Sequence, residues 1–282
     1  MLDKLLARFA QECYRLDADR WRLTLSNGRA LSVSARHDDG FLLLDADTGA
    51  SPAPAQLATL AEAGSDLPAV VKFALVRGSS SVRLRAEFPL PEEGGAADRI
   101  RRNLNGMLSA LHRLLEPAPC QAAACPVEAL PVVPLPELLK ESGWDYHERP
   151  GGALLADLET GSRFLQAEIN QSGAGARFRL TLYQNDQAAE TARHALWLYL
   201  LEANAGLRFA RGFIDQTNEG VAAGFEVRLE TAPSPAEAGH ALAALSVAGR
   251  HCAREMEVLK DAALAGIYRL ARPPYHHSGK GA

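Results

Sequence analysis

The side chains able to do chemistry in this chain are few and scattered. Cys120 and Cys125 stand in a C-x4-C spacing within "PAPCQAAACPV". That is half of a thiolate metal site, and neither a C-x2-C nor an H-x3-H pair follows to complete four ligands. No metal is expected there. His251 and Cys252 are neighbours, but adjacent residues of a helix point about 100° apart, whereas a nucleophile and its base need contact and a third group to orient the base. The pair reads as one surface and one core residue. "GSSS" at 78–81 lacks the G-x-S-x-G elbow between strand and helix, and "SGAGAR" at 172–177 offers no helix N-terminus to an anion. Both read as turns between strands. Asp17, Asp19, Asp38 and Asp39 fall in turns too, where carboxylates bond nearby backbone amides. Arg99, Arg101 and Arg102 gather at the start of a helix, the end that disfavours cations, and read as a solvated face. His276 and His277 lie in a Pro- and Gly-containing tail. No catalytic residue, metal ligand or cofactor site is assigned, and the chain reads as a non-enzyme.

Apolar clustering is more informative. Trp197, Leu198, Tyr199, Leu200 and Leu201 point in nearly every direction around one helix, so they must be buried on several sides or meet a partner. The binding candidates are Trp197, Tyr199, Phe209, Arg211 and Phe73. Gly106 and Gly249, each inside a closing helix, cost about 1 kcal/mol relative to Ala. They imply a close backbone approach, with contact between the two halves of the chain as one candidate.

The elements that would position these residues come in two sets. A chain of 282 residues, 47% hydrophobic, has room for two domains with their own cores. In the first half, apolar spacing over residues 2–16 predicts a helix, and alternation on either side of Asn27-Gly28 and in "GFLLLDADTG" predicts three strands. "SPAPAQLATLAEAG" follows as a short helix with Ser51 as N-cap, Pro52 at its first position and Gly64 just past its end. Val71, Phe73 and Leu75, then Val82, Leu84, Ala86 and Phe88, alternate as a hairpin before a closing helix that ends ahead of Pro117. The second half repeats the order, so both halves read α-β-β-β-α-β-β-α. "KFA" at 72–74 aligns with "RFA" at 208–210, and "AEFPL" with "FEVRL". In this alignment Phe73 and Phe209 are equivalent core aromatics on the first strand of the late hairpin.

Between the copies, "EPAPCQAAACPVEALPVVPLPE" holds six prolines, a composition that stays extended. The expected organisation is a first domain at 1–117, a linker at 118–136, a second domain at 137–272 and a tail at 273–282. Residues 1–117 carry 15 basic and 15 acidic side chains and the remainder 15 and 19, so the net charge of −4 sits in the second half. Nothing in that balance draws in nucleic acid or anionic lipid. No run reaches the roughly 18–20 apolar residues that cross a bilayer, and the N-terminus lacks the basic start and small-residue cleavage site of a secretory signal. With four cysteines too sparse for a disulfide framework, a cytoplasmic setting is expected.

The element order, the passage "LEANAGLRFARGFID" from helix into strand and the following "VAAGFEVRLE" resemble the type III secretion chaperone-like fold, in particular its YbjN-type branch. The resemblance covers most of 137–271 and, less fully, 2–117. It implies an α+β fold in which a twisted antiparallel sheet carries packed helices, commonly as a homodimer that binds a segment of another protein. Two copies in one chain then imply an internal pseudo-dimer, and the expected activity is non-enzymatic protein or peptide binding of a chaperone-like kind. An alternative is a sensory or regulatory protein that binds a small ligand in the groove between the domains.

Overall fold

The computed structural model describes residues 2–26, 30–52, 54–65, 67, 70–76, 81–90, 95–115, 134–160, 163–186, 188–217 and 220–271. The chain is α+β, and it divides into two compact units. The first contains α1 (Leu2–Phe9), β1 (Glu12–Arg15), β2 (Arg20–Ser26), β3 (Ala30–Asp38), β4 (Phe41–Asp47), α2 (Pro54–Ser65), β5 (Lys72–Leu75), β6 (Val82–Pro89) and α3 (Ala96–Leu115). The second contains α4 (Leu135–Glu141), β7 (Tyr146–Glu148), β8 (Leu154–Glu159), β9 (Phe164–Ser172), β10 (Gly175–Asn185), α5 (Glu190–Gly206), β11 (Arg211–Thr217), β12 (Gly220–Leu229), α6 (Pro235–Val258) and α7 (Ala262–Leu270).

Each unit builds one six-stranded antiparallel sheet, in the order β1-β2-β3-β4-β6-β5 in the first and β7-β8-β9-β10-β12-β11 in the second. The two orders are the same. The register agrees as well, and it can be anchored on two-residue turns: Asp38 pairs with Phe41 around Asp39-Gly40, and Ser172 pairs with Gly175 around Gly173-Ala174. Counting outward from these turns matches Asp45 with Arg179, Arg85 with Glu226, and Lys72 with Arg211. On the other side it matches Trp21 with Leu154 and Tyr14 with His147.

This register corrects two sequence expectations. A fourth strand precedes the middle helix in both units, because β1 and β7 are short, largely exposed edge strands with no apolar alternation to announce them. In the first unit the helical apolar spacing runs on to Cys13, but α1 stops at Phe9 and the chain turns to pair with β2. The hairpin alignment is also displaced by three residues. Lys72 corresponds to Arg211, not Arg208, and Phe73 corresponds to Gly212, not Phe209. Phe209 lies ahead of β11 with φ +58°, and the Ala210 amide donates to the Arg208 carbonyl at 2.5 Å, a γ-turn pattern that re-aims the chain before the strand begins. At the second helix of the first unit, α2 begins at Pro54 and Gly64 lies inside it. Residues 27–29, 78–80, 116–133 and 272–282, which include Asn27-Gly28, Gly78, Cys120, Cys125 and His276-His277, lie outside the described residues.

Alternation places each core. Leu23, Leu25, Val33, Leu42, Leu44, Val82, Leu84, Ala86 and Phe88 are buried on one face of the first sheet, with Ile100, Leu104 and Met107 of α3 also buried. Each such Val, Leu, Ile or Phe contributes about 1.5–3 kcal/mol by leaving water. In the second unit α6 lies across the same face of its own sheet. It starts at a reciprocal cap, in which Ser234 Oγ accepts from the Glu237 amide and the Glu237 carboxylate accepts from the Ser234 amide. Gly249 explains how close α6 comes: a Cβ there would stand 2.8 Å from Leu165 Cδ1, 3.1 Å from Leu180 Cδ2 and 3.2 Å from Thr160 Cγ2. The close approach is thus between α6 and its own sheet, which replaces the contact between halves as the reason for this glycine. α5 fastens to the edge strand β11 through Asn204, whose Oδ1 accepts from the Gly212 amide at 2.7 Å. α7, which has no counterpart among the described residues of the first unit, packs on α5. No described helix is long and apolar enough to cross a membrane.

Candidate functional site

The faces of the two sheets opposite the cores carry the charged side chains. In the second unit, alternation along β10, β11 and β12 puts Arg177, Arg179, Arg211, Phe213, Asp215, Glu226 and Arg228 on that face. Glu226 is the hub, with no exposed surface. Its Oε2 accepts from Arg177 Nε at 2.7 Å, and its Oε1 accepts from Arg211 Nε at 3.1 Å and Nη2 at 3.0 Å. Arg228 brings its Nε to 3.0 Å from Oε1 without the alignment of a hydrogen bond. Arg211 is itself buried. Burial pushes the Glu226 carboxyl up, but the Arg211, Arg228 and Arg177 guanidinium groups together outweigh it, so the pKa lies below the ordinary value and the carboxylate is charged at neutral pH.

Arg179 leaves this hub and pairs with Asp215, and its guanidinium carbon stands 3.6 Å from the centroid of the Phe213 ring. The geometry is that of a desolvated cation–π contact. Gly224, opposite Phe213 on β12, has no room for a side chain: a Cβ there would fall 2.0 Å from the Leu180 carbonyl oxygen.

In the first unit the corresponding face carries Asp45, which accepts from Arg83 Nε at 2.8 Å and lies 3.5 Å from Arg85 Nε, together with buried Lys72 and Glu87. One rung of the ladder therefore bears opposite charges in both units, with the signs exchanged: Asp45 faces Arg85, and Arg179 faces Glu226.

Of the residues singled out from sequence, Arg211 belongs to the Glu226 hub. Trp197 and Tyr199 are buried on α5, Phe209 is buried in its turn, and Phe73 is buried in the other unit, opposite Leu84 in its sheet. Trp197 and Tyr199 share α5, whereas Phe209 lies in the turn ahead of β11 and Arg211 on the charged face of that strand. Trp197 meets His194 edge-on at 4.9 Å, and Tyr199 meets Tyr268 of α7 edge-on at 6.0 Å. The Tyr199 hydroxyl lies near enough to the Cys252 thiol of α6 for each to bear on the other's titration. Burial and the nearby Glu255 carboxylate push the Cys252 thiol up to about 11, although the Tyr199 hydroxyl opposes them. Burial likewise raises the Tyr199 phenol. Neither group ionises at neutral pH. His251 is exposed beside buried Cys252, so the two do not form a nucleophile and base.

Of the carboxylates expected in turns, Asp17 behaves as its sequence suggests, whereas Asp38 closes β3 and accepts from Arg36 Nη2 at 2.9 Å. Asp17 Oδ1 accepts from the Asp19 amide at 3.1 Å. Arg101 pairs with Asp98 at 2.9 Å, and Arg99 Nη1 donates to the Pro89 carbonyl, which accounts locally for the cluster at the start of α3. Among the described residues there is no group of three or more His, Cys, Asp or Glu able to hold a metal ion.

Sequence reasoning missed Glu226, Arg177, Arg179 and Phe213. Their signal was alternation itself: "RFRL" and "FEVRL" place charge at every second position of strands whose other positions are apolar. No protein-family model, curated protein or solved structure matches the chain.

Proposed function

We propose that the chain is a non-enzymatic, chaperone-like module that binds a protein or peptide partner, akin to the type III secretion chaperone-like proteins of the YbjN-type branch and working in the cytoplasm. The observation that supports this reading is the duplicated topology. Two units repeat one strand order and one register, each with an apolar face packed as a core and an opposite face written in charged and aromatic side chains. A sheet of this kind offers backbone edges and a patterned face to an extended or helical segment of another protein. Pairing of the two copies within the chain is part of the proposal, since a linker that joins them gives an effective concentration of about millimolar.

The test is purification of the tagged full chain from its own host at low salt, followed by native mass spectrometry. A protein partner at a fixed stoichiometry is the expected result. A chain that emerges with no polypeptide bound, and that fails to slow aggregation of any unfolded client protein, would overturn the reading.

A further inference from the structure

Phe164 is the most exposed large apolar side chain among the described residues, at 83%. It opens β9 on the charged face of the second sheet, the face opposite α6. Directly across from it on β8 is Glu159, and the next rung on the same face pairs Gln166 with Asp157. Glu168, one rung further, is half-buried and accepts from Asn170 Nδ2 at 2.6 Å. Directly opposed side chains on a sheet have Cβ atoms about 4.5–5.5 Å apart, so Phe164 and the two exposed carboxylates form one contiguous patch. Gln166 Nε2 donates to Asp157 Oδ1 at 3.0 Å, which holds that carboxylate in place without neutralising it. None of the ion pairs among the described residues involves Asp157 or Glu159. Arg163 precedes Phe164 in the chain, and the alternation of a strand sends it to the other face.

The register of the first unit provides a control inside the same molecule. The positions equivalent to Asp157, Glu159, Phe164 and Gln166 there are Thr24, Ser26, Ala30 and Ser32. One copy of the fold is small and neutral where the other is aromatic and acidic. The patch is therefore not a requirement of the topology.

We infer that the β8–β9 face around Phe164 is the docking surface of the second unit, and that its occupant is a basic segment of a partner protein that alternates or intersperses Arg or Lys with apolar residues. This rests on the protein-binding reading above and names its surface and partner chemistry. The aromatic ring supplies apolar area and a π face for a guanidinium or ammonium group. Asp157 and Glu159 flank it with charge of the complementary sign, which directs encounter and excludes acidic segments.

The experiment uses the full chain and a fluorescent peptide that alternates arginine with leucine, beside counterparts with glutamate or serine in place of arginine. The parent should bind the arginine peptide at least about tenfold more tightly than the glutamate peptide, a gap of 1.4 kcal/mol, and the gap should narrow as salt screens the carboxylates. Phe164→Ser, and separately Asp157→Asn with Glu159→Gln, should each weaken the arginine peptide about tenfold, with unfolding temperature unchanged because these side chains are exposed. Glu137→Gln with Glu141→Gln on α4 removes the same charge elsewhere and should leave binding intact. Equal weakening by the α4 variant, or none by the two β8–β9 variants, overturns the surface while leaving peptide binding standing. If the parent binds neither the arginine nor the serine peptide, the protein-binding reading falls with it. Concentration-dependent self-association that disappears in Phe164→Ser would assign the face to a second copy and overturn the inference.

Discussion

Glu226→Gln keeps the shape of the hub and removes its charge, so it isolates what the carboxylate does for Arg177, Arg211 and Arg228. Arg211 is buried and donates two of its hydrogen bonds to Glu226, so it cannot regain water when the charge goes. Breaking a buried ion pair by neutralising one partner costs about 3–5 kcal/mol, because the other charge is left uncompensated. At about 2–4 °C per kcal/mol for a domain of this size, the unfolding temperature should fall by roughly 6–20 °C in calorimetry or near-UV circular dichroism at neutral pH.

Acid has the same target. The folded-state pKa of Glu226 is depressed, so its contribution is fully present above the ordinary glutamate value of 4.5 and is lost as pH falls through the depressed value. The parent and Glu226→Gln should therefore converge in stability on acidification. Arg211→Met in the Glu226→Gln background separates charge from packing: the double variant should be more stable than the two single losses summed. If Glu226→Gln unfolds within about 2 °C of the parent at neutral pH, less than 1 kcal/mol on this scale, the account of the hub as a mutually dependent cluster is wrong.

Other outcomes follow from packing and burial. Phe73→Ala should cost about 3–5 kcal/mol, as for a fully buried Phe; because Phe209 sits in a left-handed turn, Phe209→Gly should cost less than Phe209→Ala in the same urea titration, by up to about 1 kcal/mol of relieved backbone strain. Gly249→Ala should destabilise by about 1–3 kcal/mol through overpacking against Leu165, Leu180 and Thr160, the reverse of the gain in helix propensity, and a stabilised variant would show that α6 lies further from the sheet. Cys252 should resist thiol reagents at pH 8, where its thiol, pushed up to about 11, stays protonated and buried, and should react once the chain is unfolded in urea.

The long amphipathic elements were legible because each obeys a single period. Val82, Leu84, Ala86 and Phe88 alternate, and Leu242, Leu245, Gly249, Cys252 and Met256 step by three and four. β1 and β7 were not legible, since a strand of three or four exposed residues is held by its neighbour in the sheet and leaves no mark in its own composition. α7 escaped because it is only nine residues long and buries just Ala265, while Leu264, Ile267 and Leu270, spaced by three, stand exposed. The hub was hidden by distance: Arg177 and Glu226 are 49 residues apart and meet only because β10 and β12 are neighbours. Phe209 misled because the likeness of "RFA" to "KFA", two identical letters and a shared positive charge, outweighed the turn that separates it from the strand.

The exchanged signs on the shared rung bear on how a duplicated chain folds to the right pairing. Two units with one topology and one register invite a strand of one to be accepted by the other, the characteristic misassembly of tandem repeats. Here the charges oppose it. If β6 took the place of β12, Arg85 would lie across from Arg179 with Arg211 on its far side, and β12 in the place of β6 would set Glu226 against Asp45. Like charges directly opposed destabilise a ladder, and Arg177 and Arg211 would be left without the Glu226 carboxylate that pairs with them. Reversing one pair of signs keeps the Asp45–Arg85 and Arg179–Glu226 pairs native and sets a like-charge pair on the inner side of the rung whenever β6 and β12 change places.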